Sequence, residues 1–149
     1  MPSRTAKDAA LDYFAQKFNC GEATLLGLAE AMGVSDSCIP RIATGLGAGI
    51  GGCGEACGAI SGAAMAIGLK FGRESADDLD AKTLCYAKVR QLVEEFEREF
   101  GSARCFDQVD CDMRTVEGMA RAKELELHSK VCPKFVAFAA EVAQRLIEV

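Results

Sequence analysis

Eight of the 149 residues are cysteine, and their positions relative to the predicted helix starts define the chemistry open to them. Cys20 follows Asn19 in the first turn of a predicted helix, and Cys57 follows Gly54 and Glu55 in the first turn of another. Cys132 precedes Pro133; proline favours the first helical position, so Cys132 is the expected cap. Cys105 comes after the Gly101–Ser102 break and is expected to begin a turn. Helix N-termini carry partial positive charge and free amides, which lower a thiol's pKa and favour the thiolate. These four are therefore candidate thiolate donors. They are separated by 36, 47 and 26 intervening residues, too far for a local zinc knuckle, so tertiary folding must assemble any shared site.

The other four cysteines read differently. Cys85 lies mid-helix among Leu84, Tyr86 and Val89 and is expected to act as a small core hydrophobe, as is Cys38 beside Ile39. Cys53, four residues before Cys57, is a candidate resolving thiol or second donor. Cys111 lies in a polar stretch, open either to pairing with a neighbour or to being an exposed thiol. The single histidine, His128, sits on a Lys/Glu-rich helix end and is expected to be solvated. Gly47, Gly49 and Gly52 form a GxGxxG match, but the residues before it do not read as a strand, which a dinucleotide site requires. Alternate glycines there instead allow close backbone approach or leave amides bare around something cradled. Glu94, Glu95, Glu97 and Glu99 form a wet helix face, while Glu22 and Glu55 are expected to cap helices. No Ser/His/Asp set, HExxH, P-loop or CxxC is present.

The elements that must position these residues are helical. Apolar residues recur at helical spacing and no stretch alternates as a half-buried strand would. Predicted helices run from Thr5 to Lys17, from an Asn19/Glu22 capping box to Met32, and from about Glu55 to Phe71. A short helix near Ser35–Ser37 is interrupted at Pro40. A long helix capped by Ser75 and Asp78 reaches Phe100, with Leu84, Val89, Leu92, Val93 and Phe96 apolar. Thr115–Leu127 and Pro133–Ile147 complete the set, the last with Phe135, Phe138, Ala139, Val142 and Leu146 as its stripe. The expectation is an all-α, single-domain bundle of six to seven helices around a glycine-rich central segment.

Composition excludes several classes. A net charge of −5 and pI near 5, without a cationic cluster, argue against nucleic acid. No apolar run reaches the ~18 residues of a membrane span. No signal-like apolar core stands near the start, so the cytoplasm is the expected compartment. Disulfides are rare there, and cysteines are more often metal-binding, catalytic or inert.

Four segments also carry a resemblance: Asn19-Cys20-Gly21-Glu22, Gly54-Glu55-Ala56-Cys57-Gly58-Ala59-Ile60-Ser61-Gly62-Ala63, Gly101-Ser102-Ala103-Arg104-Cys105 and Lys130-Val131-Cys132-Pro133. In order and spacing the chain resembles the C_GCAxxG_C_C family of redox-active proteins. The family's cysteines fall on Cys20, Cys57, Cys105 and Cys132; Ala56 stands where the family has glycine. The family is similar to the non-haem part of split-Soret cytochromes, which holds an iron–sulfur centre. This chain has no CxxCH, so haem is not implied.

The leading expectation is a redox protein in which these four cysteines hold an iron–sulfur cluster of the two-iron (2Fe-2S) type. Glycine backbones at Gly51, Gly52, Gly54 and Gly58 are expected to supply amides to sulfur, and Gly54, Gly58 and Gly62 to face the cofactor. The alternatives are a metal-free thiol–disulfide protein, a structural zinc site with four cysteines, or inert buried thiols. A redox partner is implied, any catalysis would be an oxidoreductase's, and the glycine-rich apolar helices leave a homodimer open without deriving one. All of this depends on the four sulfurs meeting in space.

Overall fold

A computed structural model describes residues 4–149, and it is all-α. Helix α1 (Ala6–Ala15) starts where Thr5 Oγ1 accepts from the Asp8 amide at 3.1 Å, and it buries Ala6, Ala9, Ala10 and Phe14. Helix α2 (Cys20–Ala31) begins at the expected capping box. A 3-10 helix (Arg41–Leu46) and a glycine-dense loop lead to α3 (Gly58–Phe71). Asp78 caps α4 (Leu79–Phe100), and Gly101, at φ 85°, ends it. The short α5 (Cys105–Val109) and α6 (Val116–Glu124, capped by Thr115) follow. A π-helical turn (Leu127–Val131) then delivers the chain to α7 (Pro133–Glu148), which has proline in its first turn.

The core forms where apolar stripes of α1, α2, α3 and α7 meet, with Leu25, Leu28, Ile67 and Val136 at 1% exposure or less. Helix α4 packs on through an aromatic cluster: Phe96 and Phe100 lie 4.8 Å apart, and Phe100 meets Phe135 edge-on at 4.9 Å. Such pairs contribute about 0.5–1.5 kcal/mol beyond their burial. The first half of α4 is less engaged than its pattern predicts. Leu84 is exposed, and only Leu92 and Phe96 of the helix are fully buried.

Four expected boundaries shift. The long helix starts at Leu79 behind Asp78 alone, and Ser75, expected to cap it with Asp78, lies in the bend before it. The helix predicted from Glu55 starts at Gly58, because residues 54–57 are drawn into backbone pairing with residues 103–106. The segment near Ser35 forms turns, not a helix, and the helical character there begins at Arg41. The stretch predicted through Leu127 stops at Glu124, since Glu126 takes a left-handed φ of 52°. No helix among the described residues is long and apolar enough to cross a membrane.

The α2–α3 crossing is backbone against backbone. A Cβ at Gly62 would stand 2.4 Å from the Gly21 carbonyl oxygen, whereas one at Gly68, further along α3, meets nothing within 4 Å. Gly62→Ala is therefore expected to destabilise by about 1–3 kcal/mol through overpacking. Gly68→Ala should stabilise by about 0.5–1 kcal/mol through lower backbone entropy. Urea unfolding of the two variants checks the opposed signs.

Candidate functional site: a four-cysteine cavity

Each of the four cysteines sits at the beginning of a helix. Cys20 opens α2, Cys57 caps α3, Cys105 opens α5 and Cys132 caps α7. Separate local devices bring these starts together.

Asn19 fixes the first. Its Oδ1 accepts from the Glu22 amide at 2.8 Å, and its own amide donates to Glu22 Oε1 at 2.9 Å. Asn19 Nδ2 also donates to the Thr44 carbonyl at 2.9 Å, and Thr44 Oγ1 donates to Glu22 Oε2 at 2.6 Å. The capping box thereby ties α2 to the 3-10 helix before the glycine loop. Glu55, the other expected cap, does not cap α3; its side chain is exposed and 3.9 Å from Arg104.

The loop then turns with the opposite hand. Ala48, Gly49, Ile50, Gly51 and Gly52 all have φ between 52° and 81°, a left-handed turn in which each non-glycine residue costs about 1–2 kcal/mol. No strand precedes it, so the context of a dinucleotide fingerprint is absent here. Its own carbonyls close the turn. Gly51 donates to Gly45 at 2.8 Å, Gly52 to Gly47 at 3.1 Å and Gly54 to Ala48 at 3.2 Å. The Gly51, Gly52 and Gly54 amides expected to serve sulfur are thus engaged within the loop. The amides of Ala48, Gly21, Cys20 and Gly58 instead lower the Cys20 thiol against the larger effect of burial.

A short antiparallel pairing supplies the third device. Cys57 donates its amide to Ala103 at 2.8 Å, Cys105 donates to Glu55 at 2.7 Å, and Phe106 donates to Gly54 at 3.0 Å. The bridge between Ala56 and Arg104 brings the start of α3 beside the start of α5. Contact is tight enough that a Cβ at Gly58 would be 2.3 Å from Cys20 Sγ, and one at Gly54 would be 2.9 Å from Phe106 Cβ.

Cys20, Cys57, Cys105 and Cys132 all line one cavity of about 180 Å³, with Gly58 and Ala48 in the same wall. Phe14, Phe135, Leu127, Val109 and Met113 supply its apolar lining, and Asn19, Gln108 and His128 its polar members. Gly54 and Gly62 lie outside this lining, the first against Phe106 and the second against α2. The sulfurs share a cavity without converging on one point. Among the described residues, no three His, Cys, Asp or Glu side chains are grouped so as to hold one metal ion.

The helix starts are as expected, but the sign of their effect is not. Burial pushes the thiols up, Cys105 to about 11 and Cys132 to about 12, with Cys20 and Cys57 also raised. A charge on Cys20 adds to the rise at each of the other three. Backbone amides pull Cys20 and Cys57 the other way and lose to desolvation.

Two residues of this region escaped sequence reasoning. His128 is half-buried in the cavity wall, its ring stacked on Phe14 with centroids 3.8 Å apart. Its Nε2 lies 3.2 Å from the Phe18 carbonyl, which can only accept, so Nε2 carries the proton. Its position four residues before Cys132 was the available signal. Cys111 is 2% exposed, in a small apolar cluster with Val109, Ala122 and Leu127 against which Cys105 and Cys132 rest; its aspartate neighbours gave the opposite impression. Cys38 is exposed, not core, and its thiol meets Asp36 Oδ1 at 2.8 Å. Cys53 is exposed and outside the cavity lining, and Cys85 packs half-buried on the main core.

The raised thiols make the metal-free protein sensitive to alkali. Its stability is full below about pH 8.5, where an unfolded thiol titrates. It then falls as pH climbs through the folded values near 11 and 12, because the unfolded chain releases its protons first. Urea midpoints that fall from roughly pH 7.5 to 10.5, and fall less in Cys105→Ser than in wild type, are the expected result; this range covers the onset and lower part of the window in which the two states differ in protonation.

No curated protein and no solved structure matches the chain. The sequence pattern of the family described as "Putative redox-active protein (C_GCAxxG_C_C)" matches residues 18–146, from just before Cys20 to beyond Cys132. With the match spanning most of its length, the chain belongs to the C_GCAxxG_C_C family.

Proposed function

We propose that the cavity holds a two-iron iron–sulfur cluster through Cys20, Cys57, Cys105 and Cys132, and that the protein transfers single electrons. The observation that carries this reading is that four thiols from four separate helix starts line one apolar cavity. When bound, such a cluster supplies a one-electron couple.

The donor set favours this group over its competitors. A single zinc ion asks its sulfurs to converge at about 2.3 Å, and no three donors are so grouped here. A two-iron cluster divides four thiolates between two metals and suits a wider arrangement. Thiol–disulfide exchange needs a thiolate, and burial keeps these thiols protonated at neutral pH. Metal ligation removes the proton and takes the charge onto the metal. The chain's own contribution would be to place the sulfurs, to surround them with Phe14, Leu127 and Phe135, and to keep backbone amides near Cys20 that favour its thiolate. Amides of this kind stabilise negative charge on sulfur and raise a cluster's potential.

Anaerobic purification, with iron and sulfide analysis and a visible spectrum, tests the reading. The expected result is a brown protein with about two irons and two sulfides per chain, lost in Cys57→Ser and kept in Cys85→Ser. A colourless protein that takes up neither iron nor sulfide on anaerobic reconstitution would sink it. If that protein also loses two titratable thiols on oxidation, the thiol–disulfide reading replaces it.

A further inference from the structure

Helix α4 is covered unevenly by the bundle. Leu92 and Phe96 are buried, but no residue between 79 and 91 is. Yet that first half is not polar throughout. Leu79, Tyr86, Val93 and Phe100 recur every seven residues, which on a helix sets them in one stripe that turns slowly about the axis. At its C-terminal end the stripe enters the core, where Phe100 joins Phe135 and Phe138. At its N-terminal end it faces solvent: Leu79 is 63% exposed and Tyr86 53%.

Charge is segregated along the same helix. Residues 79–90 carry Lys82, Lys88 and Arg90 against Asp80, a net +2. Residues 91–100 carry Glu94, Glu95, Glu97 and Glu99 against Arg98, a net −3. Asp80 and Arg98 suit the helix dipole at the two ends, but the order between them is the reverse of what the dipole favours. That order does not serve the helix itself. The fold uses only part of it: Glu95 pairs with Arg145, and Lys88 donates to the Leu146 carbonyl. Among the described residues, Lys82, Arg90, Glu94 and Glu97 form no ion pair. Lys82 and Arg90 lie over the Tyr86 ring, 5.5 and 5.9 Å from its centre, one turn before it and one turn after. Glu97 stands one turn after Val93, beside the same stripe.

We propose that the stripe from Leu79 to Phe100 is a self-association surface, on which α4 of a second copy of this chain lies antiparallel. That arrangement covers the exposed apolar end of each stripe and lays the basic half of one helix along the acidic half of the other. A parallel neighbour would set like charges together along the whole contact, which is costly. One helix from each copy is a small contact by the standard of stable dimers, so the association is expected to reverse on dilution through the micromolar range. It is independent of what the cysteine cavity holds.

Sedimentation velocity of the reduced, full-length protein over a dilution series tests this. Wild type should pass from dimer to monomer, and Tyr86→Asp should be monomeric throughout. Lys82→Glu/Arg90→Glu, and separately Glu94→Lys/Glu97→Lys, should each weaken association by about ten-fold or more, because like charges then face each other. All four reversals in one chain should restore it, as should mixing the two double variants. These positions are exposed or half-exposed, so far-UV helicity should match wild type in every variant. A protein that is monomeric at every concentration overturns the proposal and leaves the stripe to an unlike partner. A dimer that survives Tyr86→Asp unchanged overturns it by placing the contact on another face. Four reversals that associate no better than two overturn the antiparallel pairing. Iron and sulfide content plays no part in these outcomes.

Discussion

The beginnings of α2 and α3 lie too close for even a methyl group to separate them, and the rest of the site depends on that contact. Where Gly58 stands, a side chain would occupy the position of the Cys20 sulfur. Where Gly62 stands, it would strike the α2 backbone one turn on. Interiors are packed densely enough that such a clash cannot be absorbed by small shifts. The glycines of the Cys57 motif thus do their work through absence: they let two cysteine-bearing helix starts share one wall.

What this closeness gains is offset by a strained connection. Ala48 and Ile50 adopt a hand that L-residues avoid, and the turn survives because its carbonyls accept a dense set of internal hydrogen bonds and its far side is pinned to residues 103–106. Its product is an Ala48 placed in the cavity wall beside Cys20, where its amide favours the thiolate. The same trade appears at the other end of the site, where a left-handed Glu126 and a π turn set Leu127 and His128 in the wall. Both distortions border the one apolar cavity that the four thiols share, and burial there overrides the electrostatic benefit of the helix starts.

The helices were legible because local signals state them. Thr5, Asn19 with Glu22, Asp78 and Thr115 each cap a helix where their types predict, and the stripe from Phe135 to Leu146 needs only its period. The four helix-start cysteines were legible for the same reason. Their shared cavity was not, since it is made by a two-segment pairing between residues 54–57 and 103–106 that no periodicity announces. The sign of the thiol shifts was hidden too, because the helix-end effect is local and desolvation is tertiary. His128 and Cys111 were misjudged on their polar neighbours, although a π turn and a satellite core bury what sequence places at the surface. The first half of α4 erred the other way: an apolar pattern at Leu84 found no partner helix to cover it.

The position of α7 carries a consequence for biosynthesis. Its first turn provides both Cys132 and the Phe135 wall, and its stripe fills the core that aligns α1, α2 and α3. Until α7 has left the ribosome and docked, the other three thiols have neither their fourth companion nor the Phe135 wall. A group held by all four sulfurs would therefore wait for α7 to dock, and a product lacking α7 would lack both Cys132 and the Phe135 wall.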